Sequence, residues 1–191
     1  MVDRIRRALG VIGALGAALA PFRPDRALAE AATAWDFGFI SIEGEAMPLA
    51  RWRGRPLLVV NTASFCGFTP QYAALQALWE RYAPRGLVVL GVPSNDFRQE
   101  QADNAAVKRF CELEFGVEFP LAEISRVTGR EAHPFYRWAA ASAGPPRWNF
   151  HKYLVGRAGT IVGSWGARTT PDSPELTAAI EAALAAPVPS A

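Results

Sequence analysis

The chain has 191 residues, half of them apolar and a fifth charged, which fits one compact domain and excludes a globally disordered chain. Its formal charge of +2, from 20 basic and 18 acidic side chains with no long basic run, gives no electrostatic footprint for nucleic acid. Two cysteines exclude a disulfide framework and a Cys-x-x-Cys pair, and His133 and His151 fit no zinc spacing, so no metal is expected.

The N-terminus reads as an address. Three arginines in residues 1–7 precede an uninterrupted apolar run, 8–20. That run is short for a bilayer span, which takes about 20 residues, but suits the core of a signal peptide. Ala27-Leu28-Ala29 supplies a small-x-small cleavage site. Residues 1–29 are therefore expected to be a signal peptide, with an uncleaved membrane anchor through 8–20 as the alternative. The mature domain is 30–185, and 186–191 (APVPSA) is expected to be a loose tail.

Phe37–Ala50 is β-prone around Glu43-Gly44 and predicts a hairpin. Pro56-LLVVNTAS is a continuous apolar run with β-branched residues, the pattern of a strand buried on both faces. A polar turn follows, then a helix for which Thr69 is the expected cap and Pro70 the first-turn residue. Tyr72, Leu75, Leu78, Trp79 and Tyr82 form its apolar stripe.

Pro84-Arg85-Gly86 breaks that helix, and Leu87–Val92 predicts a second buried strand. Asn104–Phe115 predicts a helix with Val107, Phe110, Cys111 and Phe115 on one face. Leu154–Gly156 and Thr160–Val162 flank the turn 157–159 as a late hairpin, and Ser173-Pro174-Glu175 opens a last helix carrying Leu176, Ile180 and Leu184. Strand–helix–strand–helix, then hairpin and helix, predicts an α/β fold. It is a thioredoxin-like three-layer sandwich, with a central mixed sheet flanked by helices and an N-terminal β-hairpin.

Cys66 falls between the end of the first buried strand and a helix start, in Asn61-Thr-Ala-Ser-Phe-Cys-Gly-Phe-Thr-Pro70. Ligands of open α/β sheets bind at this edge, and the unpaired amides of a helix start favour a thiolate over a thiol. Cys111, on an apolar stripe, reads first as a core cysteine. The loop Gly91-Val-Pro-Ser-Asn-Asp-Phe-Arg-Gln-Glu100 ends at the same sheet edge and reads either as turn chemistry or as pocket lining. Trp148-Asn149 places an indole N–H beside an amide NH₂. The pair is either a packed Trp with a turn-forming Asn or two donors for a thiolate or leaving oxygen anion.

Taken together, NTASFCGFTPQY, GVPSNDFRQE and RWNFHKYLV resemble the three signatures of the glutathione peroxidase family, in the family's order and across about Trp35–Leu184. The resemblance implies a catalytic tetrad of Cys66, Gln99, Trp148 and Asn149. Phe97-Arg98-Gln99 is one residue shorter than the family's Phe-Gly-x-Gln, which leaves Gln101 as the substitute for Gln99. Asp96 and Ser94 stand where many members have Gln and Cys. Cys111 falls where thioredoxin-dependent members carry their resolving cysteine, so a Cys66–Cys111 disulfide is implied.

Only nine residues separate Trp138 from Trp148, without the insertion that serves tetramer assembly, and the basic residues of glutathione-binding members are missing after Cys66. The resemblance thus implies a monomeric peroxidase active in antioxidant defence, and the N-terminal address implies that it is exported, to the periplasm. It would act on hydrogen peroxide or organic hydroperoxides without a cofactor, a thioredoxin-type protein or glutathione serving as reductant. Two other readings of a reactive Cys66 remain open: an exported thiol–disulfide oxidoreductase, although Thr69 occupies the position of a second Cys, and a non-catalytic redox sensor.

Overall fold

The computed structural model describes residues 32–188. The signal-peptide expectation and residues 189–191 of the tail lie outside them. A short hairpin pairs β1 (Gly38–Ile40) with β2 (Ala46–Pro48), and the turn falls at Glu43-Gly44 as the sequence predicts. The main sheet holds β3 (Leu57–Thr62), β4 (Val88–Pro93), β5 (Lys152–Val155) and β6 (Ile161–Trp165) in the order β4-β3-β5-β6. β3 and β4 are parallel, with Leu57 opposite Val88, whereas β5 runs antiparallel to β3 and β6 antiparallel to β5. Helix α1 (Gln71–Tyr82) forms the crossover, followed by α2 (Asn104–Phe115), α3 (Pro134–Ala143) and α4 (Pro174–Ala185).

The two faces of β3 explain the layers. Successive side chains of a strand point to opposite faces, and every residue of β3 is buried. Leu58 and Val60 pack with Tyr72, Leu75 and Leu78 of α1, Val107 and Cys111 of α2, and Leu176 and Ile180 of α4. Leu57 and Val59 face the other way, onto Phe135 and Trp138 of α3 and onto Phe39, Met47 and Trp52 of the hairpin region. The result is the mixed sheet between two covering layers that the apolar runs demand.

Several local details differ from the sequence reading. Helix α3 is an addition. Pro134 opens it at the first helical position and the His133 ring accepts the Phe135 amide as its cap. Its ten residues are short for a periodicity argument, which is why the pattern passes unnoticed between longer elements. The late hairpin is longer than its turn residues suggest, because β5 begins at Lys152, a buried lysine inside an otherwise apolar strand. Thr69 does not cap α1. Pro70 takes that place without a side-chain bond, and the Thr69 hydroxyl is engaged inside the preceding turn.

Candidate active site

Cys66 lies in the turn between β3 and α1, at the C-terminal edge of the sheet. The turn is closed from within. The Cys66 amide donates to Thr69 Oγ1 at 3.0 Å, the Thr69 hydroxyl donates to the Ala63 carbonyl at 2.8 Å, and the Thr69 amide returns to the Cys66 carbonyl at 3.0 Å. These bonds aim the thiol back toward the start of α1, where Sγ accepts the Phe68 amide at 3.4 Å. Cys66 is 6 % exposed, whereas Phe65 beside it is 61 % exposed. The nucleophile candidate is recessed and its neighbour forms the rim.

The loop after β4 docks directly onto this turn. The Phe65 amide donates to the Gln99 carbonyl at 2.9 Å. Glu100, buried, accepts the Ser64 amide at 3.0 Å and the Ser64 hydroxyl as well. The dipeptide Gln99-Glu100 therefore holds the two residues immediately before Cys66. Asp96, in the family's Gln position, binds elsewhere. Its carboxylate accepts the amides of Val127 and Thr128 at 2.6 and 2.8 Å and pins that segment under the loop.

The third segment arrives through Asn61, a buried side chain in β3. Its Nδ2 donates to the Trp148 carbonyl at 3.2 Å and its Oδ1 accepts the His151 amide at 3.0 Å, while its backbone carbonyl accepts the Phe150 amide. This clasp fixes residues 148–151 against the strand that leads to Cys66. Asn149 is fully buried and donates from Nδ2 to Gln99 Oε1 at 2.9 Å. The Trp148 ring, 42 % exposed, tilts against Phe97 with centroids 5.2 Å apart.

Gln99 is thus bonded to the residue before Cys66 and to Asn149, with Trp148 packed on Phe97 of the same loop, and Gln99 rather than Gln101 makes the bond to Asn149. Because Gln99 Oε1 is taken by Asn149, the Gln99 amide NH₂ is left to donate. Among the described residues, only Arg98 (φ 57°) and Phe150 (φ 61°) are non-glycines with positive φ. Each adjoins one member of the Gln99–Asn149 pair. Left-handed backbone at a bulky residue costs about 1–3 kcal/mol, and the loop shortened by one residue gives Arg98 no glycine to bend in its place.

Cys111 is a different case. It is fully buried on α2, and burial pushes its thiol up to about 11. Both cysteines are free. The Tyr72 hydroxyl lies beside the Cys111 thiol, close enough to interact with it, but neither it nor Thr62 Oγ1 has a hydrogen-bond partner of ordinary geometry.

Three residues that the sequence reading passed over support the site. These are Asn61, Glu100 and Lys152, whose ammonium donates to Gln71 Oε1 at 2.8 Å and to the Phe150 carbonyl at 2.7 Å. Desolvation lowers Lys152 to about 7. A signal for Lys152 was present, since a lysine between His151 and Tyr153 at the head of an apolar strand requires buried partners.

A cleft of about 330 Å³ opens beside Trp148, lined also by Arg147, His151 and Ala167. A larger one, about 580 Å³, lies between the hairpin and the end of α2 and contains none of the five candidate residues. Among the described residues no group of three His, Cys, Asp or Glu is arranged to hold a metal ion.

The family model described as glutathione peroxidase matches residues 34–140. The hydroperoxy fatty acid reductase gpx1 of Synechocystis sp. is 43 % identical over 164 residues, covering 80 % of this chain and 96 % of that protein. The crystal structure of Trgpx in apo form superposes with a TM-score of 0.68 at 32 % identity, covering 83 % of this chain and 99 % of that one. A thioredoxin-family thiol:disulfide interchange protein from Chlorobium tepidum shares the thioredoxin-like fold alone, with a TM-score of 0.60 at 17 % identity over 78 % of this chain and 92 % of that one.

Proposed function

The chain belongs to the glutathione peroxidase family and is a thiol peroxidase, and on that premise we propose that Cys66 is its nucleophile and Cys111 the thiol that resolves the oxidised form. The observation that carries the first assignment is the convergence on one turn. Gln99 accepts the Phe65 amide through its carbonyl and the Asn149 amide through its side chain, so the Cys66 turn and two other segments share one anchored assembly.

In the reaction, the Cys66 thiolate attacks the terminal oxygen of a hydroperoxide. An S–O bond forms, the O–O bond breaks, and the departing alkoxide or hydroxide takes up a proton to leave as alcohol or water. Charge accumulates on that oxygen as the bond breaks. In this reading the free amide of Gln99 and the indole N–H of Trp148 donate to it, and the bond from Asn149 to Gln99 supports that orientation. The product is a Cys66 sulfenic acid, which a second thiol condenses to a disulfide with loss of water.

Cys111 supplies that thiol in this reading. It is buried on the inner face of α2, so α2 must open locally before the two sulfurs meet. A thioredoxin-type dithiol then restores both thiols by exchange. Organic peroxides suit the exposed rings of Phe65 and Trp148 at the rim. The chemistry requires no metal or organic cofactor. The protein acts as an exported monomer in the periplasm, in antioxidant defence, once residues 1–29 are removed. No helix among the described residues is long and apolar enough to cross a membrane.

The test is peroxide consumption by the mature protein with glutathione or with a thioredoxin system, beside Cys66→Ser and Cys111→Ser. Turnover with thioredoxin that needs both cysteines is the expected result. Equal consumption by wild type and Cys66→Ser would remove the nucleophile assignment and favour a sensor. Undiminished turnover in Cys111→Ser would remove the resolving role alone.

A further inference from the structure

Glu100 is a buried ionisable side chain to which the peroxide chemistry gives no proton to carry. It is 8 % exposed. One carboxylate oxygen is saturated: Oε1 accepts the Ser64 amide at 3.0 Å, the Ser64 hydroxyl and the Gln101 amide at 2.8 Å. The other, Oε2, is buried and accepts from no protein group. Burying an unpaired carboxylate oxygen costs more than burying a neutral one, so such an atom marks a place where a proton is held part of the time.

The surroundings of Glu100 say where that proton comes from. Tyr72 from α1 and Cys111 from α2 are within its electrostatic reach, and Glu112 adds a further negative charge acting on Cys111. The hydroxyls of Tyr72 and Thr62 are also buried without partners. Glu100 is thus within electrostatic reach of the Cys111 thiol. Its Oε1 is bonded to Ser64, two residues before Cys66.

We propose that Glu100 carries the proton of the resolving step, taking it from the Cys111 thiol and returning it to the oxygen that leaves Cys66. This inference rests on the reading of Cys111 as the resolving thiol. The Cys111 S–H bond breaks and its proton passes to the Glu100 carboxylate as α2 begins to open. The thiolate attacks Cys66 sulfur, the S–S bond forms and the S–O bond breaks. The hydroxide leaves as water with the proton from Glu100, delivered along Ser64. Cys111 is oxidised and the sulfenic sulfur reduced by the same electron pair, so no outside reactant is consumed.

The proton balance explains why a carboxyl is suited to the place. A thiol pushed up to about 11 is ionised to roughly one part in ten thousand at neutral pH, and attack on sulfur needs the thiolate. Burial also raises the Glu100 carboxyl above its ordinary value, which makes it a stronger base than an exposed glutamate.

The experiment follows the two steps separately in wild type, Glu100→Gln and Glu100→Asp after one equivalent of hydrogen peroxide. Loss of the Cys66 thiol reports the first step. Capture of sulfenic acid by a dimedone probe, against appearance of the Cys66–Cys111 disulfide by mass spectrometry, reports the second. In Glu100→Gln the disulfide step should slow at least tenfold more than the peroxide step, with sulfenic acid accumulating, and Glu100→Asp should recover part of the loss.

Wild type should lose its disulfide rate on the acid side with a midpoint above that of an ordinary carboxyl, whereas Glu100→Gln should gain about tenfold per pH unit until the thiol itself ionises. Equal slowing of both steps would make Glu100 a brace for the Ser64 turn and overturn the proposal. A wild-type disulfide rate that simply follows hydroxide from pH 5 to 9 would overturn it too, and needs no variant to fold. If wild type forms no Cys66–Cys111 disulfide, the resolving role of Cys111 falls and this inference with it. A normal disulfide at an unchanged rate in Glu100→Gln sinks only the inference.

Discussion

The two cysteines of this chain stand in regions built on opposite principles. The Cys66 turn is braced by polar bonds that cross between segments: Thr69 to Ala63, Glu100 to Ser64, Gln99 to Phe65 and Asn149, and Lys152 to Gln71. Cys111 is held by apolar contact, on the stripe that packs α2 against β3 and α1. A directional network fixes a sulfur in one orientation, and apolar packing fixes it only as long as its helix stays folded. One region suits a residue that must be aimed, the other a residue that must be kept back and then released.

Native-state alkylation is the sharpest way to break that contrast. Iodoacetamide should modify Cys66 at least a hundredfold faster than Cys111, because Cys111 is reached only through opening of α2. Peptide mapping by mass spectrometry reads the ratio, and equal rates would mean that α2 is open in the resting protein.

Next in size come Gln99→Ala and Asn149→Ala. Each should slow the reaction of Cys66 with hydrogen peroxide by about 10²-fold, the cost typical of losing a donor or its orienting partner. The double variant should lose little more than the worse single one, because the two side chains act through one hydrogen bond. Stopped-flow measurement on the three variants decides it, and multiplicative losses would mean that the pair does not work as a unit.

A smaller effect separates the polar region from the apolar one by pH. Lys152, lowered in the fold to about 7, binds fewer protons there than in the unfolded chain up to its ordinary value near 10.5. Stability must therefore rise with pH across that window, by at most about 1.4 kcal/mol per pH unit. Cys111 has the opposite sign. Its folded thiol keeps a proton that the unfolded chain loses between about 9 and 11, so its contribution to stability falls there. Urea unfolding from pH 7 to 9 should show the rise in wild type and lack it in Lys152→Met.

The smallest expected change is a gain. Arg98 holds a left-handed backbone, and Arg98→Gly should stabilise the fold by about 1 kcal/mol in thermal unfolding, with Cys66 reactivity nearly unchanged. A loss instead would show that the Arg98 side chain contributes more than its backbone costs.

Much of this was legible in the sequence, for reasons that differ by element. β3 and β4 announced themselves as unbroken apolar runs because both faces of each are buried. Cys66 could be placed because a strand end followed by a helix start has one position in such a sheet. Helix α3 escaped because its ten residues show little period; Lys152 could be read as needing buried partners, but a strand pattern does not say that they are a glutamine and a carbonyl. The pairing of Gln99 with Asn149 was unreadable for a deeper reason. It depends on two left-handed residues, Arg98 and Phe150, whose conformation neither side chain favours and only the folded surroundings impose.

The way residue 34 is tied down also fixes how the molecule would face a surface. The Ala34 amide donates to the Gly159 carbonyl, and Gly159 (φ 83°) approaches the Trp35 ring so closely that a Cβ there would lie 2.5 Å from its nitrogen. Gly159 sits in the turn between β5 and β6, which adjoins the Leu57 end of β3, the end of the sheet remote from Cys66. Residue 34 is therefore tied down at the pole opposite the thiol. Under the proposed export, the pull of an N-terminal leader or anchor would fall on that pole and leave the Cys66 turn at the far end of the sheet.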